Sequence, residues 1–347
     1  MPPLRILHLK DHRPGHYHLA EGVIAAIARR RTVAVNALQI SRARWFPNRL
    51  MASAIAAGLP GRALLRTGFG VAAADLVESD LVIAAGGDTM GALVGSARHL
   101  RARAIYCGTW KHFATSDVDL VVTSYDSHAE RPRHLVALKP SGIDPDAIGP
   151  PIAPAAFNVE RPPAAIGLLI GGDSGLFTYA REDWDALFAL IEDLHAGYAC
   201  RFVVSTSRRT PAPVGDRLQA LANRAGETTS ITTLIDYRTA GPGTLPQVFR
   251  ASDAILCTAD SSSMISEAIS ARRPVLGLVP QDNAFKPEEA AYRAMMETRH
   301  WCRFVPLRAV TPDALLQALE TLSPMQEHHL DALAQRLAER LPTLFEN

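Results

Sequence analysis

The chain has 347 residues, enough for two domains, because a single hydrophobic core stops growing at about 250–300 residues. Its 36 Lys and Arg balance 35 Asp and Glu, so no net field would attract nucleic acid, and we expect no nucleic-acid partner. No signal peptide is recognisable before the first strand, and no apolar stretch approaches the roughly 20 residues that cross a bilayer. We therefore expect a cytoplasmic protein, either soluble or peripheral at the inner face of the membrane.

The first part of the chain alternates short β-rich runs with helical patterns rich in Ala, Leu and Arg. This alternation is typical of β-α-β units with a parallel sheet. The predicted strands are 4–9, 32–38, 80–85, 103–108 and 119–124.

Prolines crowd residues 144–165 and the periodicity disappears, which indicates a domain boundary. The alternation then restarts, with strands predicted at 165–172, 201–207, 230–236, 253–259 and 274–280. The fold class is therefore α/β, with two tandem Rossmann-like, doubly wound domains that we expect to face a cleft. The predicted segments are an N-terminal domain over 1–150, a linker over 151–164, a C-terminal domain over 165–323, and a terminal helical segment over 324–347 that could pack back on the first domain.

Residues 41–66 mix arginines with Trp45, Phe46 and aliphatic residues. Such a mixture can lie on an anionic membrane surface. The favoured interpretation is a solvated helix that covers a core. Both interpretations stay open, and the first makes a membrane surface a candidate partner.

The sequence gives little sign of a metal site or of disulfides. The four cysteines lack C-x-x-C spacing and lie mostly in apolar runs, so we expect reduced core residues. The histidines between His8 and His18 cannot share one ligand face, because Pro14 and Gly15 are expected to break any helix there. The Asp-Val-Asp at 117–119 precedes an apolar strand and predicts a strand entry. We expect no metal and no bound cofactor.

Ligands of open parallel sheets bind beyond the carboxyl ends of the strands. Three such ends in the second domain carry groups that suit a diphosphate: a glycine loop, an arginine pair, and hydroxyls at a helix start that Ser261 or Ser262 should cap. A fourth loop, 10–18 in the first domain, clusters Asp11, Arg13 and His16. The candidate residues at these three strand ends are Gly172, Ser174, Gly175, Ser207, Arg208, Arg209, Ser261, Ser262, Ser263 and Met264, with Glu267 about one turn further into the helix.

The blocks DHRPGHYHLAEGV, IGGDSGLFTY, STSRRTP and CTADSSSMISEAISARRPVLGLVP resemble the family named after the plant mitochondrial fission protein of elongated-mitochondria mutants. Bacterial members are described as GT-B-type glycosyltransferases or as nucleoside-diphosphate-sugar epimerases. The last block also resembles the sugar-nucleotide half of the enzyme that adds N-acetylglucosamine to the peptidoglycan lipid intermediate. That resemblance implies that Ser261–Met264 bind the diphosphate and that Glu267 binds a ribose or sugar hydroxyl.

The predicted function is metal-independent transfer of a sugar from a nucleoside-diphosphate sugar to an acceptor that the sequence does not identify. The nucleotide sugar is a co-substrate. His16 or Asp11 is the predicted catalytic base, because histidine titrates near neutral pH. Two alternatives stay open: a non-hydrolysing sugar-nucleotide epimerase, and a nucleotide-binding or membrane-associated scaffold without turnover. The residues assigned to the acceptor side are Arg13, Gly15, Tyr17, Gly87 and Asp88.

Overall fold

The structure is a computed structural model that describes residues 2–224 and 229–346. Contacts between residues divide the chain into two compact units. The first unit contains the chain up to Gly142 and from His329 onward, and the second is Ile143–His328. The proline-rich residues 144–164 therefore group with the second unit.

The first unit is built on one sheet of six parallel strands in the order β2-β1-β3-β4-β5-β6. The strands are β1 (Leu4–Lys10), β2 (Val33–Gln39), β3 (Leu81–Ala85), β4 (Arg103–Cys107), β5 (Leu120–Thr123) and β6 (His134–Val136). Strands β1, β3, β4 and β5 are largely buried, because helices cover both faces of a parallel sheet, whereas the edge strand β2 is partly exposed.

Alternate side chains of these strands point to opposite faces and join two separate cores. Ile6 and Ile83 share one core with Ile27, whereas Leu7 and Val82 belong to the core on the other face. The first four helices of the unit are α1 (Pro14–Ala28), α2 (Asn48–Ala56), α3 (Gly61–Phe69) and α4 (Met90–Leu100).

The second unit repeats this architecture with a parallel sheet in the order β10-β9-β7-β11-β12-β14. A two-stranded antiparallel sheet pairs β8 with β13. The strands are β7 (Ala165–Ile170), β8 (Phe177–Thr178), β9 (Arg201–Thr206), β10 (Ile231–Ile235), β11 (Ala254–Thr258), β12 (Val275–Val279), β13 (Asp282–Asn283) and β14 (Cys302–Pro306).

Helices of the second unit also follow the strands. A large core contains Leu168 and Leu256 of the sheet together with Leu187 and Leu315 from two of the helices. The helices are α5 (Pro145–Ile148), α6 (Arg181–Tyr198), α7 (Ala212–Ala222), α8 (Tyr237–Ala240), α9 (Leu245–Arg250), α10 (Ser262–Ser270), α11 (Pro287–Thr298) and α12 (Pro312–Glu320).

The C-terminal helix α13 (His329–Arg340) belongs to the first unit. Its Leu333 and Leu337 are buried in the same core as Ile27 of α1. At the end of α1, Arg29 pairs with Asp331, with 2.7 Å between Nε and Oδ1. The helix predicted within 324–341 thus begins at residue 329, and its apolar face packs against α1.

The two doubly wound sheets confirm the predicted fold class, and each of the ten predicted strands is present. The four cysteines are free and buried, as expected. Four strands were missed: β6, the short pair β8 and β13, and the outermost strand β14. Searching the described residues for a helix long and apolar enough to cross a membrane finds none.

Burial of His8 makes the stability of the first unit depend on pH. The imidazole lies on β1, is 1% exposed, and its Nε2 atom has no hydrogen-bond partner among the described residues. Burial lowers the pKa of His8 to about 4, whereas histidine in an unfolded chain titrates near about 6.5. The unfolded state therefore takes up the proton first as the pH falls. The stabilisation is complete above about pH 6.5 and is lost as the pH falls towards about 4.

We expect this residue alone to lower the free energy of unfolding by about 2 kcal/mol between pH 7 and pH 5. Urea unfolding at the two pH values measures the difference. His8→Leu should remove this part of the pH dependence, because leucine has no proton to bind. His99→Gln, at an exposed histidine, controls for the loss of an imidazole as such. The same pH dependence in wild type and His8→Leu would contradict the prediction.

Candidate functional site

The strand order places a topological switch point beside β7 of the second unit. From β7 the chain runs outward to β9 and β10, and then returns to β11 on the other side of β7. The chain therefore leaves β7 and β11 in opposite directions along the sheet, and open α/β sheets bind their ligands at the carboxyl edge of such a point. The three loops with predicted diphosphate groups follow β7, β9 and β11, which are neighbours in the sheet.

Asp260, the second residue after β11, connects these three loops. Its side chain is completely buried, and Oδ2 accepts hydrogen bonds from Nε of Arg209 at 3.2 Å and from Nη2 of the same guanidinium. Oδ1 accepts a hydrogen bond from the Tyr179 hydroxyl at 3.2 Å. Burial beside this carboxylate raises the pKa of Tyr179, so the phenol stays protonated and donates.

The glycines after β7 are required by close contacts with the other two loops. A Cβ atom at Gly171 would lie 2.2 Å from Oδ2 of Asp260. A Cβ atom at Gly172 would lie 2.1 Å from the carbonyl oxygen of Arg209. The Gly171 N–H donates to Oγ1 of Thr258 at 2.7 Å. These two glycines therefore let three loops meet at one point of the sheet edge.

The loop after β9 is held by its own hydroxyl groups. The Ser207 N–H donates to Oγ1 of Thr210 at 2.9 Å, and the Arg209 N–H donates to Oγ of Ser207 at 3.1 Å. Thr210 Oγ1 also donates to the Ile170 carbonyl at 2.8 Å, which joins this loop to the end of β7. Arg208 is exposed, and its guanidinium makes no ion pair with any described residue. Its charge is therefore available to an anion.

The third loop ends at the N-terminus of α10. Ser261 is the N-cap, as predicted, and its Oγ accepts from the Met264 N–H at 3.4 Å. The first N–H groups of an α-helix lack intrahelical partners and carry a partial positive charge. Ser262, Ser263 and Glu267 are partly exposed on this helix.

Arg293 of α11 supports the same loop. Its Nη2 donates to the Ala259 carbonyl at 2.6 Å, one residue before Asp260. The guanidinium carbon lies 5.5, 4.8 and 4.9 Å from the ring centroids of Phe177, Phe285 and Phe304, respectively. Burial lowers the pKa of Arg293. This residue fixes the backbone at the end of β11 and is too deeply buried to be an obvious ligand contact.

Ser174 and Gly175 form a closed turn. Backbone hydrogen bonds join Ser174 and Phe177 in both directions, at 3.1 and 3.0 Å, and Gly175 has a φ of 59°, which glycine adopts without strain. Oδ1 of Asp173 accepts from the Tyr179 N–H at 2.8 Å. The phosphate-compatible backbone of this loop is therefore Gly171 and Gly172 at its base.

The first unit has an equivalent switch point beside β1, because β2 lies on one side of β1 and β3 on the other. Asp11, immediately after β1, is 6% exposed. Its Oδ2 lies 2.6 Å from Nδ1 of His16, and its Oδ1 accepts from the Arg13 N–H at 2.9 Å. When Nδ1 carries the proton, Asp11 holds the ring in the tautomer that leaves Nε2 as the proton acceptor.

Gly86, the first residue after β3, lies under this Asp11–His16 pair. A Cβ atom there would be 2.3 Å from Nδ1 of His16 and 2.7 Å from Oδ2 of Asp11. The backbone of Gly86 has a φ of 93°, in the left-handed region. The loops of β1 and β3 therefore meet through a contact that only glycine accommodates.

The expectation that Pro14 and Gly15 would break any helix is wrong. Pro14 is the first residue of α1, where its missing N–H would have no intrahelical partner and its fixed φ suits the helix. His16 consequently lies in the first turn of α1. A helix start holds the imidazole more rigidly against Asp11 than a loop would.

The residues assigned to the acceptor side surround this pair. Arg13 is exposed, a Cβ atom at Gly15 would meet nothing within 4 Å, and Tyr17 has the Lys10 ammonium 4.7 Å from its ring centroid. The carbonyl of Gly87 accepts from Nδ2 of Asn48 at 2.6 Å, and Asp88 pairs with Nε of Arg42 at 2.8 Å. The segment before α2 is thus bound to the loop after β3.

The structure brings the predicted residues together in two groups, one in each unit. Sequence analysis assigned no role to Asp260, Tyr179, Gly86 or Arg293. Asp260 carried a recognisable signal, because it directly follows the predicted strand 253–259. The other three are identified only by contacts between segments that are far apart in the chain.

A third cluster in the second unit contains a histidine and two carboxylates. Nε2 of His328 lies 3.5 Å from Asp144 and 3.3 Å from Asp146, and Asp146 is also 3.7 Å from Nη1 of Arg272. The Arg272 guanidinium beside Asp146 is typical of a structural ion-pair cluster.

Comparison with solved structures supports the fold. The chain is similar to a putative UDP-N-acetylglucosamine 2-epimerase from Listeria monocytogenes, with 11% identity, coverage of 99% of this chain and 98% of that chain, and a TM-score of 0.57. It is also similar to the UDP-GlcNAc 2-epimerase of Methanocaldococcus jannaschii, solved with UDP-GlcNAc and UDP. The identity is 12%, the match covers 98% of this chain and 100% of that chain, and the TM-score is 0.52. A third similar structure is the glycosyltransferase SnogD from Streptomyces nogalater, with 13% identity, coverage of 99% of this chain and 96% of that chain, and a TM-score of 0.50.

At these identities the likeness shows the fold alone: two Rossmann-like domains, as in GT-B glycosyltransferases and these epimerases. A search among curated proteins gave no match to the sequence. A family model described as Mitochondrial fission ELM1 matches residues 14–341, which is most of the chain and includes all the blocks on which the resemblance was based, apart from the start of the first one. The chain therefore belongs to the mitochondrial fission ELM1 family.

Proposed function

We propose that this protein is an enzyme that binds a nucleoside-diphosphate sugar on the second unit and transfers the sugar to a hydroxyl group of an acceptor held by the first. One observation carries the proposal: Asp260 accepts hydrogen bonds from Arg209 and lies against Gly171. The loops after β7, β9 and β11 therefore meet at a switch point of the sheet. Exposed backbone, guanidinium groups and a helix N-terminus are the groups that bind phosphates in proteins. One fold neighbour was solved with UDP-GlcNAc and UDP, which agrees with such a ligand.

The departing diphosphate needs positive charge. Arg209 donates hydrogen bonds from Nε and Nη2 to Asp260. These bonds fix the orientation of the guanidinium and leave Nη1 without a described partner. Arg208 and the N–H groups at the start of α10 supply further positive charge. Glu267, on the same helix, is assigned to a ribose or sugar hydroxyl. In this proposal the nucleotide sugar is a co-substrate, and the chain's own residues bind it.

The acceptor hydroxyl needs a base. His16 fits this role because Asp11 accepts from Nδ1 and stabilises the imidazolium that forms when Nε2 takes the proton. Asp11 is buried and engaged by the Arg13 N–H, so we assign it the positioning of His16 rather than the proton transfer itself.

Nucleotide binding can be tested directly by thermal unfolding with UDP, GDP, ADP, CDP and CMP. A nucleotide at about one hundred times its Kd should stabilise the fold by about 2.7 kcal/mol and raise the Tm by several degrees. Arg208→Ala should weaken this shift, because an exposed charge is lost at the predicted phosphate site. Arg201→Ala, at the other end of β9, is the matched control and should keep the full shift. The proposal fails if no nucleotide raises the Tm of the wild-type protein.

A second candidate is a sugar-nucleotide epimerase, which the two epimerases among the fold neighbours favour. The two activities differ in what they need. An epimerase converts the bound nucleotide sugar with no acceptor present, and NMR of the sugar would show a second stereoisomer. A transferase leaves the stereochemistry of the sugar nucleotide unchanged until an acceptor is added.

A further inference from the structure

We propose that the first unit docks on an anionic phospholipid bilayer through one surface of the segment 41–66. We call it the arginine–tryptophan surface. The proposal stands apart from sugar transfer, because lipid binding is measured without any nucleotide or acceptor. The surface consists of Arg44, Trp45, Arg49, Leu50, Arg62 and Arg66.

The charge of this surface is unusual for a chain with a net charge of +1. Residues 22–74 contain eight arginines and no Asp, Glu or Lys. Arg42 is neutralised by Asp88, at 2.8 Å. Arg44, Arg49, Arg62 and Arg66 are each exposed, and none of them forms an ion pair with any residue that the structure describes. The surface therefore carries four unbalanced positive charges, which an anionic headgroup layer would neutralise.

Two large apolar side chains lie among these charges. Trp45 is 69% exposed and Leu50 is 55% exposed, and both are among the few large apolar residues that are exposed in the described chain. The Trp45 indole stacks on the Phe46 ring, with 5.2 Å between centroids and 5° between planes, which fixes its position. Tryptophan prefers the interface between headgroups and acyl chains. Trp45 and Leu50 are therefore suited to enter that interface.

Helices α2 and α3 hold the surface rigidly. Both helices bury one face, through Met51 and Ile55 on α2 and through Leu64 and Leu65 on α3. This confirms that the segment covers a core. It also leaves the opposite face of each helix to the solvent, where the surface arginines lie.

The loop that carries Trp45 is attached to the end of α3. The Ala43 N–H donates to the Gly68 carbonyl at 2.8 Å, and a Cβ atom at Gly68 would lie 3.6 Å from the Phe46 ring. Arg66 lies in the last turn of α3 and is exposed. The segment 41–66 thus combines unpaired positive charge with exposed apolar side chains, as helices that lie in the membrane interface do.

Vesicle co-sedimentation tests the proposal with the intact protein. We expect it to bind vesicles that contain phosphatidylglycerol and not vesicles of phosphatidylcholine alone. Arg49→Gln/Arg62→Gln/Arg66→Gln should weaken binding by about a hundredfold, because each arginine near an anionic surface contributes about fivefold. Trp45→Ala/Leu50→Ala should also lose binding, and raised salt should weaken it in the wild type. Trp110 and Trp184 are buried and Trp301 is partly exposed, so only a blue shift of emission that is absent from Trp45→Ala would report insertion of Trp45.

Val77→Ala/Arg131→Gln is the matched control, because it removes an exposed apolar residue and an exposed arginine of the same unit outside the surface. It should bind as the wild type does. An unchanged Tm in every variant shows that the fold is intact. Equal binding to neutral and anionic vesicles, or full binding by both surface variants, would overturn the proposal. Binding of RNA with no binding to vesicles would overturn it as well.

Discussion

Gly171→Ala is expected to lower the free energy of unfolding by about 3–5 kcal/mol and to abolish nucleotide binding. The new Cβ atom would lie 2.2 and 2.4 Å from the two carboxylate oxygens of Asp260. The carboxylate cannot move aside without loss, because it is buried and holds Arg209 and Tyr179 through hydrogen bonds. Displacing it leaves a buried charge unpaired and separates the three loops. Urea unfolding and the nucleotide-dependent shift of the Tm measure the two effects.

Gly197→Ala is the matched control, because Gly197 lies in α6 and a Cβ atom there would meet nothing within 4 Å. It should stabilise the protein by up to about 1 kcal/mol through helix propensity. Asp260→Ala removes the group with which residue 171 would collide, so the double variant Gly171→Ala/Asp260→Ala should cost less than the sum of the single variants. Additive losses, or Gly171→Ala that binds nucleotide normally, would show that the contact does not organise the site.

The sequence could predict the fold because its central strands are short apolar runs between polar helix starts. Strands such as β3 and β11 are buried on both faces, and their composition is unmistakable. The missed strands lack this signal. β6 has three residues and lies at a sheet edge, and β14 alternates buried residues with the exposed Arg303 and Pro306.

The location of the candidate sites was also predictable, because ligands of parallel sheets bind at the carboxyl edge. Which loops touch each other was not. Asp260 and Arg209 are 51 positions apart, and nothing in either segment indicates that they pair. The strand order places β7 between β9 and β11, and this order determines that the loops carrying Arg209 and Asp260 meet.

The error at Pro14 has a local cause. Proline disrupts the interior of a helix, and on that basis the sequence predicts a loop around His16. At the first position of a helix, where Pro14 lies, proline costs no hydrogen bond. The chemistry inferred for His16 survives this change, because the helix start still holds the imidazole against Asp11.

Gly86→Ala is expected to lower the rate of sugar transfer by about 10²–10³-fold while nucleotide binding is kept. A Cβ atom at residue 86 would occupy the space of the Asp11–His16 hydrogen bond, 2.3 Å from Nδ1 of His16. Asp11 is buried, so the half-exposed imidazole of His16 is the group that must move. Alanine also pays about 1–2 kcal/mol for a φ of 93°. Transfer kinetics, the nucleotide-dependent Tm shift and urea unfolding separate these effects.

The neighbouring Gly87→Ala is the control for stability, because a Cβ atom there would meet nothing within 4 Å and its φ is not in the left-handed region. Its free energy of unfolding should stay within about 0.5 kcal/mol of the wild type. His16→Gln should reproduce the slow transfer of Gly86→Ala without its loss of stability, since glutamine cannot serve as the base. If Gly86→Ala transferred sugar at the wild-type rate, the Asp11–His16 pair would not be the base, and its rigid placement over glycine would need a structural explanation instead.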